Sequence, residues 1–351
     1  MKKAKVEKKI KPRTIAYAFL VIALVYVMVI CVFLYGFGKR NFLVDGAVRY
    51  LPFPAAVVGR GAFVSVRELD GNLSAVKRFY ESQDFSDIGL RVDFTTGDGQ
   101  KRLKIKEKDI FNKLIEDRII EHLAAGRGIT ITKEMASQNV QREMDRYGNG
   151  SEVEKTLDGL YGWNIEEFKE KIVKPDMYRD ELDKSWRATE GDFVKAEAKI
   201  SEARKAVDSG KDFAEVAEKY SEGDSAKDGG DLGWFTADQM MPEIAISAFM
   251  MKKGDHSDVI ESPIGFHLIR IDDKKTEDGV DKVKIRQIMV RTKSFADWLL
   301  EQEKDMDVRL LLKDYYWDKE TGSVRFKDAE MDEFEKNLDK NSAGDISVMF
   351  Q

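Results

Sequence analysis

The chain has 351 residues, which is enough for two or three domains. Its formal net charge is −6, which argues against nucleic acid as the main partner. It contains three histidines and one cysteine, Cys31, so an internal disulfide is impossible and a metal site is not expected. We expect no cofactor.

The first forty residues predict a membrane anchor. Ile15–Gly38 is an uncharged run rich in Val, Ile, Leu, Phe and Tyr, and about 20 apolar residues span a bilayer core. Seven basic residues and one acid precede it, which predicts a cytoplasmic N-terminus, a single membrane pass and an extracytoplasmic remainder. A cleaved signal peptide is the alternative, although such segments are usually shorter and end in small residues. A lipidated Cys31 is disfavoured by the bulky Ile30 before it.

Residues 41–190 are predicted to be mainly helical. Apolar residues at three- and four-residue spacing indicate a helix at Lys108–Ala125, and Asn164 with Glu167 forms a capping-box signature for a later one. Asn41–Pro54 is predicted to be a connector and Ser82–Lys101 a glycine-punctuated loop.

One block of motifs dominates the second half of the chain. A helix is predicted at Phe213–Tyr220, followed by a polar, glycine-rich loop and a short strand at Leu232–Phe235. A Met-Met-Pro turn, a further helix and a strand at Gly265–Ile271 complete it.

This block resembles the parvulin family of peptidyl-prolyl isomerases. The matching phrases fall in family order at family spacing over about eighty residues. They are Asp212-Phe213-Ala214-Glu215-Val216-Ala217, Tyr220-Ser221, Gly229-Gly230-Asp231-Leu232-Gly233-Trp234-Phe235, Met241-Pro242-Glu243, Lys253-Gly254 and Gly265-Phe266-His267. The resemblance implies an FKBP-like fold with a small antiparallel sheet, and rotation about X-Pro peptide bonds as the reaction.

The helical region before the block is similar to the N-terminal chaperone domain of SurA-type and PpiD-type periplasmic folding factors. The similarity rests on looser phrases, among them Ala125-Gly126-Arg127-Gly128-Ile129 and Gly162-Trp163-Asn164-Ile165-Glu166-Glu167-Phe168. In that family such a domain holds unfolded client segments on exposed apolar surface. The candidate contacts here are Met135, Met144, Tyr147, Tyr161 and Trp163.

The opening strand that the family places ahead of its first helix is missing here. Residues 185–192 contain neither a β-branched run nor a histidine. Alternating residues at Val283–Val290 instead predict a strand after the block, with Gln287 where the family has a histidine. Because the family's first and last strands are antiparallel neighbours, we predict a circular permutation in which Val283–Val290 pairs with Gly265–Ile271. A second, truncated repeat beginning at Val283 is the alternative.

The resemblance also implies the site residues. The proline pocket would contain Leu232, Met240, Ile244 and Phe249, and the polar group would contain His267, Gln287, Ser262 and Asp224. Ile244 replaces the family's usual aromatic ring. Gly223 stands where the family has Asp or Cys, and Asp224 is its neighbour. Two hypotheses follow: an isomerase with chaperone activity, or a chaperone that binds unfolded, proline-containing clients without accelerating rotation.

The predicted fold class is therefore α+β, with an N-terminal transmembrane helix, a helical chaperone domain and a permuted parvulin domain. The predicted boundaries are 1–40 for the tail and anchor, 41–190 for the chaperone domain, 191–293 for the parvulin-like domain with its first strand from 282–291, and 294–351 for a C-terminal helix, hairpin and tail. Within the last part, Ser294–Leu312 is predicted to be one helix and Lys327–Gln351 a loose polar tail.

Overall fold

The structure, a computed structural model, describes residues 12–83, 93–147 and 150–341. The basic N-terminal segment and the last ten residues of the predicted tail lie outside them. The chain forms two compact units: unit 1 comprises Met1–Arg179 and Glu303–Gln351, and unit 2 comprises Asp180–Gln302.

The described helices, in chain order, are α1 (Pro12–Cys31), α2 (Phe42–Tyr50), α3 (Val66–Ser82), α4 (Gly97–Gly126), α5 (Lys133–Tyr147), α6 (Gly150–Tyr161), α7 (Ile165–Phe168), α8 (Lys174–Thr189), α9 (Gly191–Asp208), α10 (Phe213–Tyr220), α11 (Pro242–Met250), α12 (Phe295–Asp305) and α13 (Ala329–Asn341). The strands are β1 (Pro54–Val58), β2 (Ala62–Ser65), β3 (Asp231–Phe235), β4 (Ile260–Ser262), β5 (Gly265–Glu277), β6 (Val280–Arg291), β7 (Val308–Leu310), β8 (Tyr315–Asp318) and β9 (Ser323–Phe326). The fold is mainly helical with small antiparallel sheets.

Helix α1 continues into a π-helical turn, Val32–Phe37. Within the described residues, one helix, Ala16–Phe37, is long and apolar enough to cross a membrane, with a mean hydropathy of 2.9. Many of its large side chains are exposed, among them Phe19 and Ile22. Length and composition thus agree with the predicted anchor, and a signal sequence satisfies the same criteria.

Unit 1 is closed by pairing between distant parts of the chain. Strand β1 pairs antiparallel with its neighbour β2 on one side and with β7 on the other, where Val57 lies opposite Arg309. The long helix α4 packs on β2 and β9. The capping box at Asn164 and Glu167 is present as predicted, with both reciprocal hydrogen bonds formed.

Unit 2 is built around a four-stranded antiparallel sheet with the order β3-β6-β5-β4. The predicted pairing of Val283–Val290 with Gly265–Ile271 is confirmed, since Ile271 lies opposite Ile285 and Phe266 opposite Val290. Strand β6 is central, because β3 pairs with its other edge. Helices α9 and α10 contact this sheet.

The two units do not follow the predicted boundaries at 190 and 293. An aromatic cluster explains the shift. The Trp186 ring of α8 lies 5.4 Å from Phe193 and 6.1 Å from Trp298, and Phe193 lies 5.1 Å from Phe266 on β5. Burying rings of this size favours including residues 180–190 and 294–302 in unit 2.

Four local predictions are corrected. The predicted connector contains α2, capped by the Asn41 side chain, and α4 begins at Gly97 inside the predicted loop. The predicted helix Ser294–Leu312 ends at Asp305, and β7 follows because its residues pair with β1. Part of the predicted loose tail is α13, which Lys108 of α4 holds through an ion pair with Glu335.

Candidate functional site

One face of the unit 2 sheet carries an apolar cluster. Side chains alternate along a strand, so Ile269 and Ile271 of β5 share this face with Ile285 of β6. Helix α11 covers the cluster with Ile244, which is 4% exposed, and Ala248.

The four residues predicted to bind substrate meet at this cluster. Ile244 belongs to its buried centre, and Leu232, Met240 and Phe249 pack against it while remaining partly exposed. A fully buried side chain of this kind stabilises the fold by about 1.5–3 kcal/mol. Partly exposed ones retain apolar surface that a ligand can cover, so these three are the better candidates for direct contact.

A row of hydrogen-bonded polar side chains adjoins the cluster. His267 lies on β5 with Ser262 Oγ 2.6 Å from its Nε2 atom and Gln287 Nε2 2.8 Å from its Nδ1 atom. Gln287 lies directly opposite Ile269, so it borders the apolar face. The structure therefore brings three of the four predicted polar residues together.

His267 is fully buried, with an exposure of 0%. Burial disfavours the charged imidazolium and lowers the pKa of His267 to about 4, although the nearby Glu243 carboxylate acts in the opposite direction. The imidazole is thus neutral at neutral pH. With the Gln287 amide nitrogen facing Nδ1, we assign the ring proton to Nε2, from which it is donated to Ser262.

Asp224, the fourth predicted polar residue, lies elsewhere in the loop. It begins a short 3₁₀ turn, Asp224–Asp228, and its side chain is exposed. Gly223 beside it faces β6, where a Cβ atom would lie 3.7 Å from Met289 Cβ. Met289 is the residue opposite His267. The loop position that faces Met289 therefore carries no side chain.

The glycine-rich loop is held against β6 at Gln287. The Gln287 backbone N–H donates to Gly230 O at 2.8 Å. Gly230 has φ +78°, and a Cβ atom there would lie 2.4 Å from Gln287 O. Only glycine satisfies both conditions, and this close approach fixes the backbone that carries Gln287.

Sequence reasoning missed Glu243 as a neighbour of the site. It occupies the first turn of α11, and its charge acts on His267. The Met241-Pro242-Glu243 phrase was visible in the sequence, but only the packing of α11 on β5 shows which charged group lies near the histidine.

Comparison with known proteins identifies this unit. Residues 179–273 match the family model of the PPIC-type peptidyl-prolyl isomerase, or rotamase, domain. The chain carries a PPIC-type parvulin domain. The match ends within β5, so Gln287 and the whole of β6 follow the matched residues.

The similar proteins are foldases and chaperones. Foldase protein PrsA 1 of Bacillus cereus is 35% identical over 130 residues, covering 35% of this chain and 46% of the foldase. Chaperone SurA of Methylobacillus flagellatus is 33% identical over 129 residues, covering 35% of this chain and 30% of the chaperone. This chain thus spans less than half the length of either relative. A crystal structure of the peptidylprolyl isomerase PrsA from Bacillus anthracis matches with 20% identity and a TM-score of 0.20, over 66% of this chain and 96% of that one.

Proposed function

We propose that this chain is a membrane-anchored, extracytoplasmic peptidyl-prolyl cis-trans isomerase and chaperone that assists the folding of exported polypeptides. The observation that carries the proposal is the neutral Ser262–His267–Gln287 row beside a partly exposed apolar cluster in the parvulin domain. The names of the similar foldases and chaperones support it.

The reaction sets what such a site must do. Rotation about an X-Pro bond has a barrier of roughly 18–20 kcal/mol, because the planar amide loses its resonance on twisting. The twisted amide has a more basic nitrogen and a less conjugated carbonyl. A catalyst therefore has to orient the proline ring and exclude water, which strengthens the few polar contacts to the twisted bond.

The parvulin domain offers groups for both tasks. Leu232, Met240 and Phe249 have apolar surface for the proline ring, and no covalent step is needed. The polar row contributes no formal charge, since His267 is neutral. We propose that Ser262, His267 and Gln287 form the polar wall of the substrate cleft.

The circular permutation remains our proposal for how the cleft is assembled. Strand β6 is hydrogen-bonded to both β3 and β5, the position expected for the family's opening strand beside its last one. The turn at Asp278 and Gly279, both with positive φ, joins the two strands directly. The family match, which stops before β6, also favours a displaced strand over a second repeat.

Unit 1 supplies a candidate surface for the chaperone activity. A groove of about 1230 Å³ in this unit is lined partly by charged and polar residues and partly by Val76, Phe79, Tyr80, Ile110 and Tyr161. The Phe79 and Tyr161 rings stack with their centroids 5.4 Å apart, and Tyr161 stacks on Trp163 at 5.2 Å. We propose that this aromatic row contacts apolar segments of unfolded clients.

Of the other predicted client contacts, Met135 is 39% exposed on α5, and Trp163 is 9% exposed. Met144 is partly buried, and the Tyr147 side chain lies outside the described residues. Tyr161 is therefore the predicted contact that the groove favours most.

A second candidate function is binding without catalysis. Gln287 cannot exchange protons as a histidine does, and Gly223 supplies no side chain to the row. Both substitutions favour a domain that holds X-Pro segments and leaves the rotation rate unchanged.

One assay on the full chain in detergent micelles separates the two. Line-shape or exchange NMR on an Ala-Pro peptide should show accelerated cis-trans exchange, while a parallel assay follows aggregation of an unfolded client. If client aggregation is suppressed while the peptide exchanges at the uncatalysed rate, the result supports the binding-only function. If neither accelerated exchange nor suppressed aggregation is observed, both candidate functions are contradicted.

A further inference from the structure

The two ring nitrogens of His267 are both occupied. Nε2 is 2.6 Å from Ser262 Oγ, Nδ1 is 2.8 Å from Gln287 Nε2, and the ring has no exposed surface. A substrate can reach neither nitrogen without breaking one of these bonds. This arrangement favours a histidine that acts through its neighbours in the polar wall rather than by touching the peptide.

The contacts of Ser262 give one consistent assignment of the protons in the row. Ser262 Oγ lies 3.2 Å from Gly265 O and receives the Ile264 backbone N–H at 3.2 Å. We assign the one serine proton to Gly265 O, so that a lone pair of Oγ accepts the Nε2–H of His267. This leaves Nδ1 as an acceptor.

An acceptor at Nδ1 determines how the Gln287 amide is turned. The amide has to present an N–H to His267, so its Oε1 atom and its second N–H point away from the ring. Within the part of the chain that the structure describes, Nδ1 of His267 is the only hydrogen-bond partner recorded for the Gln287 side chain. Gln287 is partly exposed and borders the apolar cluster opposite Ile269.

We propose that Gln287 is the polar residue that contacts the X-Pro substrate, and that His267 and Ser262 are positioning residues that fix the orientation of its amide. The proposal rests on the proposed isomerase function and names the contact residue of that same site. The amide offers one acceptor and one donor, which suit a backbone N–H and the carbonyl or nitrogen of the twisted bond.

This arrangement predicts a reaction that does not depend on the protonation of an imidazole. Charged residues near His267 on the elements packed against it include Glu243 on α11, Glu261 on β4, and Arg286 and Arg291 on β6, with Glu222 and Asp224 in the loop that contacts β6. Glu261 pairs with Arg187, Arg286 with Asp272 and Glu222 with Lys199. Glu243 is the group that acts on the ring, and burial outweighs it.

The kinetic test uses the full chain in detergent micelles between pH 5.5 and 9. Wild type should show a flat kcat/KM, and Gln287→Met should lower it about tenfold, the size expected for one lost hydrogen bond. Gln287→His should introduce a pH dependence near the ordinary imidazole pKa of about 6.5. A wild-type profile that titrates near that value, or full activity in Gln287→Met, would overturn the proposal.

Variants of His267 separate positioning from direct contact. His267→Asn keeps an acceptor for the Gln287 N–H, whereas His267→Leu does not. The asparagine variant should therefore retain more activity than the leucine variant, with both checked for folding by circular dichroism. Equal loss in two folded variants would contradict a purely positioning role.

A spectroscopic readout tests the row without relying on catalysis. The chain has three histidines, so ¹⁵N-histidine labelling resolves each ring. Wild-type His267 should carry its proton on Nε2, and Gln287→Glu, which offers an acceptor, should move a proton to Nδ1. An unchanged tautomer in the glutamate variant, or Nδ1–H in wild type, would refute the assignment.

Failure of the proposed function is distinguishable from failure of this inference. If wild type leaves the exchange rate of an Ala-Pro peptide unchanged, the isomerase function fails, and the dissociation constant of that peptide becomes the test. Gln287→Met should then weaken binding about tenfold. Equal affinity of wild type and variant would overturn the inference.

Discussion

The two units differ in how they stabilise polar side chains that have little exposed surface. Unit 1 contains charged side chains with little exposure, such as the Lys108–Glu335 pair, whose side chains are 8% and 12% exposed. The parvulin domain buries the neutral His267 ring, which is hydrogen-bonded to Ser262 and Gln287. A buried ion pair stabilises the fold only while both partners are charged. The hydrogen-bonded row stabilises it only while the His267 ring is neutral.

The difference indicates where each unit is vulnerable. Removing one charge in unit 1 leaves its partner desolvated and uncompensated. Adding a proton to the parvulin domain puts a charge on a ring with 0% exposure. The first unit should therefore be sensitive to single substitutions, and the second to acid.

The largest predicted effect is that of Lys108→Met in unit 1. Breaking a buried ion pair by removing one partner costs about 3–5 kcal/mol, and Glu335 would be left without its lysine. Hydrogen exchange of α4 and α13, measured by mass spectrometry, should show the loss of protection.

Two further variants test whether burial is the cause. Lys101→Met removes a pair between the same two helices, but its partner Glu330 is 74% exposed, so protection should hardly change. The double variant Lys108→Met/Glu335→Leu should recover most of the protection. Equal losses in the two lysine variants would show that burial is not what separates them.

The second prediction concerns acid and the parvulin domain. The pKa of His267 is about 4 in the folded state and about 6.5 when unfolded, so the unfolded chain binds more protons between these values. Stability should therefore fall by about 3 kcal/mol as the pH drops from 6.5 to 4. Hydrogen exchange of β5 and β6 measures it, and His267→Asn should remove this part of the pH dependence.

Unit 1 contains a group whose pKa shift makes stability depend on pH in the opposite direction. Burial raises the pKa of Glu303 from 4.5 to about 7, while Arg179 acts to lower it. The folded state then binds more protons than the unfolded state between these values, so this group weakens unit 1 as the pH rises from 4.5 to 7. If hydrogen-exchange protection changed with pH in the same direction in both units, His267 and Glu303 would not determine the pH dependence of stability.

The third prediction is that Met240→Ala lowers kcat/KM about tenfold, because it removes apolar surface beside the cluster that would hold the proline ring. The peptide exchange assay measures it. Met250 is 81% exposed, and Met250→Ala is the matched control that should retain full activity. Equal activity of wild type and Met240→Ala would place the pocket elsewhere.

The sequence was most informative where local pattern and strand geometry agree. The alternating pattern in Val283–Val290 predicted a strand, and the resemblance predicted its partner, which β5 confirms. The capping box at Asn164 depends on residues three apart and was equally visible. These features are decided by neighbours in the sequence or by a family pattern.

Contacts between distant segments could not be predicted in this way. Strand β7 has three residues and exists because it pairs with β1, which lies about 250 positions earlier. Helix α13 is polar, and its place is set by Lys101 and Lys108 of α4. A short or polar segment has too weak an intrinsic signal to reveal such a partner.

The sequence predicted which residues belong to the candidate site, but not how their hydrogen bonds are arranged. The sequence placed His267, Gln287 and Ser262 together by family resemblance, and the structure shows them hydrogen-bonded. The ring proton is assigned from the Gln287 amide together with the Ile264 and Gly265 backbone contacts of Ser262, and the β4–β5 turn that provides those contacts has no sequence signature.

The smallest predicted effect, from Asp224→Asn, tests whether the neutral row is sufficient. Its carboxylate is exposed at the start of the 3₁₀ turn, and in water of high dielectric constant its charge is screened from the cleft. We expect less than about a twofold change in kcat/KM at 0.15 M salt, against about tenfold for Gln287→Met. A tenfold loss in Asp224→Asn would instead mean that the loop moves onto the substrate and that a charge completes the parvulin site.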